Sequence, residues 1–131
     1  MGDERVTVVE RFYRALRTRK WDAIAELFAP DAEFGISGRN PLAGIHRGAD
    51  AAIDILRRLI DETGDTLGPV QEDTWDVCVS DHHVILIEWL QATRKGRTAR
   101  FYVHLVCALE DGKLKRAFAT FDSQYDFDEL W

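Results

Sequence analysis

The fold is decided by residues 75–121, which read WDVCVSDHHVILIEWLQATRKGRTARFYVHLVCALEDGKLKRAFATF. Apolar side chains recur at every second position of this stretch, and a period of two is typical of β-strands. Short turn signals at residues 80–83, 94–96 and 110–112 divide the stretch into four strands. We therefore expect four long strands that follow one another as an antiparallel meander.

The residues before this meander predict three helices and one short strand. Apolar positions recur with a period near 3.6 in residues 6–16, 21–28 and 52–60, as amphipathic helices require. Pro30 ends the second helix, residues 31–37 alternate as a short strand would, and residues 38–48 are expected to form a loop. Helices followed by a meander predict an α+β fold, and 131 residues fit one domain spanning 1–131.

Composition and charge exclude several classes of function. The net charge is −6, and Lys and Arg are spread along the chain without a basic stripe, which disfavours binding to nucleic acid or to an anionic membrane. No apolar run approaches the roughly 20 residues of a membrane span, and residues 1–5 are charged where a signal peptide is apolar. We expect a cytoplasmic protein.

Cofactor and metal sites have no recognisable motif in the sequence. Cys78 and Cys107 each lie in an apolar run without a nearby Cys or His partner, so we expect two buried free thiols. The chain has no nucleotide-binding glycine motif, no phosphate loop and no metal-ligand constellation. We therefore expect neither a cofactor nor a metal ion.

The pairing of the strands predicts which side chains share a face. If residues 94–96 form a three-residue hairpin loop, Thr93 pairs with Arg97 and Glu88 lies opposite Tyr102. Pairing Val79 with Val84 across the preceding turn places Asp73 and Trp75 on the same face as Glu88. One face then collects Asp73, Trp75, Leu86, Glu88, Leu90, Tyr102 and His104. The other collects Ile85, Ile87, Phe101, Val103, Leu105 and Cys107, and we expect this apolar face to join two copies in a homodimer.

The register of the last strand has two alternatives. A two-residue turn at Asp111-Gly112 places Ala117, Ala119 and Phe121 on the Glu88 face. A three-residue loop places Phe118, Thr120 and Asp122 there instead. The sequence does not decide between them.

Glu88 is the leading candidate for a catalytic group, because it interrupts the apolar run 84–90. A carboxyl in such a strand must be paired, protonated or exposed to a wet cavity, and desolvation would prepare it for proton transfer near neutral pH. His104 on the same predicted face would be its acid partner, and Tyr102 a hydrogen-bond donor. The alternative is a structural network in which Glu88 pairs with Arg100 and His104.

The order of these motifs resembles the SnoaL-like, or nuclear-transport-factor-like, superfamily over nearly the whole chain. The resemblance lies in a first helix, residues 21–34 (WDAIAELFAPDAEF), residues 44–48 (GIHRG), a third helix, and the meander with its turn at 110–114 (EDGKL). It implies a cone, in which a strongly curved sheet and the helices on its concave face enclose an apolar pocket. Ligand-contacting positions would be Tyr13, Phe34, Asp73, Trp75, Leu86, Leu90 and Ala119.

The sequence departs from the characterised enzymes of this superfamily at their catalytic positions. Ile36 stands where ketosteroid isomerases have their general base, and Phe12 aligns with their first-helix tyrosine. Glu88 falls on a catalytic aspartate of limonene epoxide hydrolase, but Leu86 replaces its arginine and Ala119 its second aspartate. Polyketide cyclases match only loosely.

Two functions follow as hypotheses. The first is a cofactor-independent acid/base enzyme acting on a small apolar molecule, of the cyclase, isomerase, dehydratase or epoxide-opening type. The second is a non-catalytic binding or dimerisation module with the same fold, because fold alone does not settle function.

Overall fold

A computed structural model describes residues 3–71 and 75–131 of the chain. Within these ranges four helices and seven strands follow the predicted α+β order. The helices are α1 (Glu4–Arg17), α2 (Trp21–Leu27), α3 (Ala49–Glu62) and α4 (Gln124–Asp128). The strands are β1 (Phe28–Ile36), β2 (Gly44–Arg47), β3 (Gly68–Pro69), β4 (Asp76–Val79), β5 (Val84–Arg94), β6 (Arg97–Glu110) and β7 (Lys113–Phe121).

The sheet is mostly antiparallel, in the order β2-β1-β7-β6-β5-β3, with β4 also paired to β5. Only the β1–β7 pair among these is parallel. The sheet curls without closing, and the helices cover its concave face, where α1 packs against β5 and β7. This arrangement confirms the predicted cone of helices on a curved meander.

Two details of the predicted elements are wrong, and one element was not predicted. Residues 44–47, expected in a loop, form β2 and pair with residues 33–36 of β1. Cys78 is exposed, and only Cys107 is a buried thiol. The unpredicted element is α4, formed by the C-terminal residues. Phe127 of this helix is buried and stacks on Phe121 with ring centroids 3.9 Å apart, so α4 closes one end of the core.

The β5–β6 hairpin turns in two residues, so the three-residue loop predicted at 94–96 is wrong. Arg94 pairs with Arg97, and the turn residues Lys95 and Gly96 have φ of 52° and 77°. Positive φ at both central residues is the type I′ geometry that matches the right-handed twist of a hairpin. Glu88 therefore pairs with Val103, not with Tyr102.

This shift by one residue exchanges the two faces of β6, because side chains alternate along a strand. The concave face carries Leu86, Glu88, Leu90, Phe101, Val103, Leu105 and Cys107. The convex face carries Ile85, Ile87, Trp89, Tyr102, His104 and Val106. Phe101, Val103, Leu105 and Cys107, predicted to form an outer apolar face, thus belong to the core.

The last strand adopts the first of the two predicted alternatives. Glu110 pairs with Lys113 across an Asp111-Gly112 turn, and Ala119 lies on the concave face opposite Leu105. A register irregularity between Ala108 and Leu109 displaces the pairing along the rest of the strand. Asp122 lies beyond the end of β7, where its carboxylate accepts a hydrogen bond from the Tyr102 backbone N–H at 2.7 Å.

Candidate functional site

The helices and the concave face of the sheet enclose an apolar chamber of about 60 Å³, here called the inner chamber. It is lined by Phe12, Tyr13, Leu16, Phe34, Ile36, Leu56, Leu59, Leu67, Leu90, Val103, Leu105, Ala119, Phe121 and Phe127. Four of these residues were predicted to contact a ligand: Tyr13, Phe34, Leu90 and Ala119. Their position in the wall is as expected, and their contact with a ligand stays a prediction.

Glu88 lies beside this chamber in the centre of β5. Its side chain points to the concave face between Leu86 and Leu90, and its cross-strand neighbour is Val103. Leu90 and Val103 both line the inner chamber. Glu88 therefore neighbours two residues of the cavity wall, on an element that packs against α1.

Glu88 is a buried carboxyl without a hydrogen-bond partner in the described part of the chain. Its exposed fraction is 0%, and both carboxyl oxygens are inaccessible to solvent and unpaired. Thr63, the other polar side chain in the described core, donates its hydroxyl to the Leu59 carbonyl at 2.9 Å. An unpaired buried polar group costs free energy, so this carboxyl is an exception that calls for a functional explanation.

Burial changes the protonation of Glu88. Desolvation penalises the ionised form and raises the pKa of this carboxyl from 4.5 to about 7. Both protonation states are then populated at neutral pH, which is the condition for a group that takes up and returns a proton. Burial likewise raises the pKa of the Cys107 thiol to about 12, so this thiol stays neutral and is a packing residue.

Tyr102 and His104, the predicted partners of Glu88, lie on the opposite face of the sheet. Tyr102 is 44% exposed and stacks on Trp89 with ring centroids 6.2 Å apart. His104 pairs with Ile87 in the sheet, and its Nδ1 lies 3.5 Å from the Thr120 hydroxyl. The proposed catalytic group of Glu88, Tyr102 and His104 is therefore wrong as a constellation, because the register separates its members.

The predicted structural network around Glu88 is also not formed. His104 is on the convex face, and Arg100 donates through Nε to the Gln91 side-chain carbonyl at 3.3 Å. With neither group near its carboxyl oxygens, Glu88 has no ion pair among residues 3–71 and 75–131.

The remaining predicted ligand contacts have other positions. Trp75 packs edge-on against Tyr13, with ring centroids 5.4 Å apart, and its Nε1–H donates to the Glu10 carboxylate at 3.0 Å. Leu86 is fully buried on the concave face but does not line the inner chamber. Asp73 lies outside the described residues.

Several residues of the inner chamber were not predicted from the sequence, although the sequence carries a signal for some of them. Phe101, Val103, Leu105 and Cys107 form a uniformly apolar set along β6, whereas the alternate positions carry Tyr102 and His104. The more apolar set of an amphipathic strand faces the core, which would have assigned Val103 and Leu105 to the pocket wall. Leu56 and Leu59 of α3 and Phe127 of α4 also line the chamber. Their position there depends on how the helices pack against the sheet, for which the sequence carries no comparable local signal.

The described ranges contain neither a metal-binding cluster nor a membrane-spanning helix. Residues 3–71 and 75–131 bring together no cluster of three or more His, Cys, Asp or Glu side chains that would hold a metal ion. None of the helices in these ranges combines the length and apolar character needed to cross a membrane.

Comparison with known proteins identifies the fold and a family. The sequence model of the SnoaL-like domain matches residues 9–117. The structure is similar to that of Bal32a from a soil-derived mobile gene cassette, with a TM-score of 0.89 and 28% identity, covering 98% of this chain and 96% of that one.

Two further solved structures share the fold at lower identity. TerC, co-crystallised with polyporic acid, has a TM-score of 0.79 and 20% identity, with 98% of each chain covered. A candidate polyketide cyclase from Xanthomonas campestris pv. campestris has a TM-score of 0.74 and 17% identity, covering 98% of this chain and 97% of that one. At these identities the likeness shows a common architecture.

Proposed function

Because the chain belongs to the SnoaL-like domain family, we propose that it is a cofactor-independent acid/base enzyme acting on a small, largely apolar molecule in the inner chamber. The observation that carries this proposal is the unpaired, fully buried carboxyl of Glu88 beside an apolar cavity. The TerC complex with polyporic acid and the candidate polyketide cyclase support a small organic ligand for this fold.

Glu88 acts as the proton-transferring group in this proposal. A carboxylate in a dry site is a stronger base than one in water, because its ionised form is destabilised. Rotation of the Glu88 side chain between Leu90 and Val103 brings the carboxyl to a ligand that fills the chamber. It removes a proton from carbon or from water and returns it after the bond rearrangement.

The side chains of the concave face favour isomerisation over cyclisation, dehydration and epoxide opening. Cyclisation, dehydration and epoxide opening gain most from an acid and a base as separate groups. Glu88 is the single carboxyl buried within the described core, and Tyr102 and His104 are on the other face. One carboxyl that shuttles a proton between two carbons of the same molecule is sufficient for isomerisation.

The proposal is tested by proton exchange, which needs no knowledge of the natural substrate. Small apolar ketones such as 2-indanone are incubated with the protein in D₂O, and deuterium incorporation next to the carbonyl is followed by NMR. We expect exchange above the buffer rate that increases with pH and levels off above about pH 7, as the pKa of Glu88 requires.

The Glu88→Gln variant should lose this exchange. Glu110→Gln, which removes an exposed carboxylate at the end of β6, is the matched control and should keep it. Exchange that is equal in wild type and Glu88→Gln contradicts the acid/base assignment. A protein that binds the ketone but shows no enzyme-dependent exchange is a binding module, the second hypothesis.

We also propose that the convex face of the sheet joins two copies of the chain. Trp89 and Tyr102 stack on each other there and are both exposed, at 37% and 44%. Exposed aromatic side chains of this size are enriched at protein interfaces. The composition of this face differs from the one predicted from the sequence, because the register brings Tyr102 outward in place of Phe101 and Val103.

A further inference from the structure

A second cavity of about 70 Å³, here called the outer chamber, shares a wall with the inner chamber. Its described lining consists of Tyr13, Leu16, Arg17, Arg19, Ile60, Leu67, Gly68, Pro69 and Leu90. Four of these residues also line the inner chamber: Tyr13, Leu16, Leu67 and Leu90. Since these four side chains lie between the two cavities, they are here called the partition.

The size of the chambers limits the ligand that either can hold alone. The inner chamber measures about 60 Å³ and the outer chamber about 70 Å³. An apolar cavity of roughly 150 Å³ in a protein core binds benzene. Each chamber is less than half that size, whereas the two together come near it. A ligand that contains a six-membered ring therefore needs the space of both chambers, which it gains when the partition opens.

Leu67 is the member of the partition whose side chain moves most easily. It lies in the loop between α3 and β3 and is half-buried. Tyr13 and Leu90 are buried in α1 and β5, with exposed fractions of 6% and 7%. Leu16 lies in α1, where the preceding turn of the helix blocks one of the three χ1 rotamers. A half-buried leucine in a loop turns toward solvent with fewer contacts to break, so Leu67 opens the partition.

The backbone on both sides of Leu67 is anchored to β5. On the preceding side, the Thr66 hydroxyl accepts a hydrogen bond from the Thr93 N–H at 2.7 Å. On the following side, Gly68 pairs with Gln91 in the sheet. Because these contacts fix the loop next to Leu67, the partition opens by rotation of the Leu67 side chain and without displacement of the loop.

We propose that Leu67 sets the size of the ligand, and that its outward rotation joins the two chambers into one pocket for a ketone that carries a six-membered ring. This inference rests on the proposed small-molecule function and adds the substrate class. The carbonyl end of the ligand lies in the inner chamber, where Leu90 and Val103 adjoin Glu88. The ring extends past the partition into the outer chamber, where Ile60 supplies an apolar contact.

The test compares two ketones, acetone and 2-indanone. Both carry hydrogens on the carbons next to the carbonyl, and 2-indanone adds a fused benzene ring. Each ketone is titrated into isotope-labelled protein, and the Kd is obtained from NMR chemical-shift changes, so that weak binding is measured as well. In the wild type 2-indanone binds only to molecules in which the partition is open, so its apparent affinity is reduced by the fraction that is open. Acetone needs no such opening.

Two variants of Leu67 should change the affinity for 2-indanone in opposite directions. Leu67→Ala removes the movable side chain and should tighten 2-indanone about fivefold or more. Leu67→Phe fills part of the outer chamber and should weaken 2-indanone about fivefold or more. Both should leave acetone nearly unchanged, and a general loss of stability does not produce opposite effects. Leu109→Ala is the matched control, since Leu109 is a half-buried leucine of β6 that lines neither chamber, and it should change neither affinity.

The proposal is overturned if the Leu67 variants behave like Leu109→Ala, if they shift acetone as much as 2-indanone, or if neither the wild type nor Leu67→Ala binds 2-indanone. Measuring proton exchange with the same proteins separates this inference from the proposed catalysis. Size selection by the Leu67 variants without enzyme-dependent exchange supports the partition and contradicts the acid/base function. Exchange that Glu88→Gln abolishes, together with equal 2-indanone affinities in the Leu67 variants, supports the acid/base function and contradicts the partition.

Discussion

Replacing Glu88 with Gln should change the pH dependence of stability in a defined window. Glutamine has nearly the shape of a protonated glutamic acid and does not ionise. In the wild type the pKa of Glu88 is raised by burial to about 7, from an ordinary value of 4.5. The unfolded chain therefore ionises this group at a lower pH than the folded chain does.

The sign and size of the effect follow from proton linkage. A carboxyl with a raised pKa in the folded state contributes its full stability below about pH 4.5, and this contribution is lost as the pH rises to about 7. Each pH unit in this window lowers the free energy of unfolding by about 1.4 kcal/mol. The total loss is roughly 3 kcal/mol, and above pH 7 the effect levels off.

The assay is urea unfolding of wild type and Glu88→Gln at half-unit steps from pH 4.5 to 8.5. All other titrating groups, including the four histidines, are common to both proteins and cancel in the difference. We expect Glu88→Gln to gain roughly 3 kcal/mol relative to wild type across the window. A control variant, Glu110→Gln, should show no comparable trend. A difference between Glu88→Gln and wild type that is constant within about 0.5 kcal/mol refutes the reasoning.

Three further predictions concern the packing and the interface. In chemical denaturation, Gly35→Ala should lower the free energy of unfolding by about 1–3 kcal/mol, because a Cβ at Gly35 would overlap the Phe118 ring. Adding Phe118→Ala to the same chain should relieve most of this loss, because it removes the ring. Ala119→Val adds two methyl groups to the wall of the inner chamber, so isothermal titration calorimetry should show loss of 2-indanone binding. Urea unfolding should show little or no loss of stability, because the added methyl groups fill empty volume. The double variant Trp89→Lys, Tyr102→Lys should convert a dimer to a monomer in sedimentation equilibrium, because it places charges on the exposed aromatic pair. A wild-type protein that already sediments as a 15.0 kDa species would contradict the proposed interface.

The architecture was predictable because its signals are local and repeated. Period-two alternation in residues 75–121 and period-3.6 stripes in the first helices set the order of the elements. The burial of Glu88 was predictable for the same reason, since six apolar neighbours in residues 84–90 leave little room for a solvated carboxyl.

The composition of the site was not predictable, because it depends on one residue of register. The prediction takes residues 94–96 as a three-residue loop, whereas Lys95-Gly96 forms a two-residue turn. This difference of one residue places Tyr102 and His104 on the Glu88 face in the prediction, where the structure has Val103 and Leu105. The irregularity at Ala108 and Leu109 is likewise set by tertiary packing and has no sequence signature of its own.

The β7 prediction shows how such errors combine. The predicted hairpin with a two-residue turn placed Ala119 on the Glu88 face, and the structure agrees. It does so because the shift at the β5–β6 turn and the shift at Ala108 compensate each other. The inner chamber needed the fold itself, since it joins Leu56 and Leu59 of α3 to Leu90 and Val103 of the sheet.

The most direct test of the central claim is the pKa of Glu88 measured by carbon-detected NMR titration, with Glu88→Gln as the assignment control. The account predicts a side-chain carboxyl resonance that titrates near pH 7 and is absent from the variant. A value at or below the usual 4.5 would mean that the carboxyl is solvated or paired in solution. That result would contradict the acid/base site and leave the chain as a binding module.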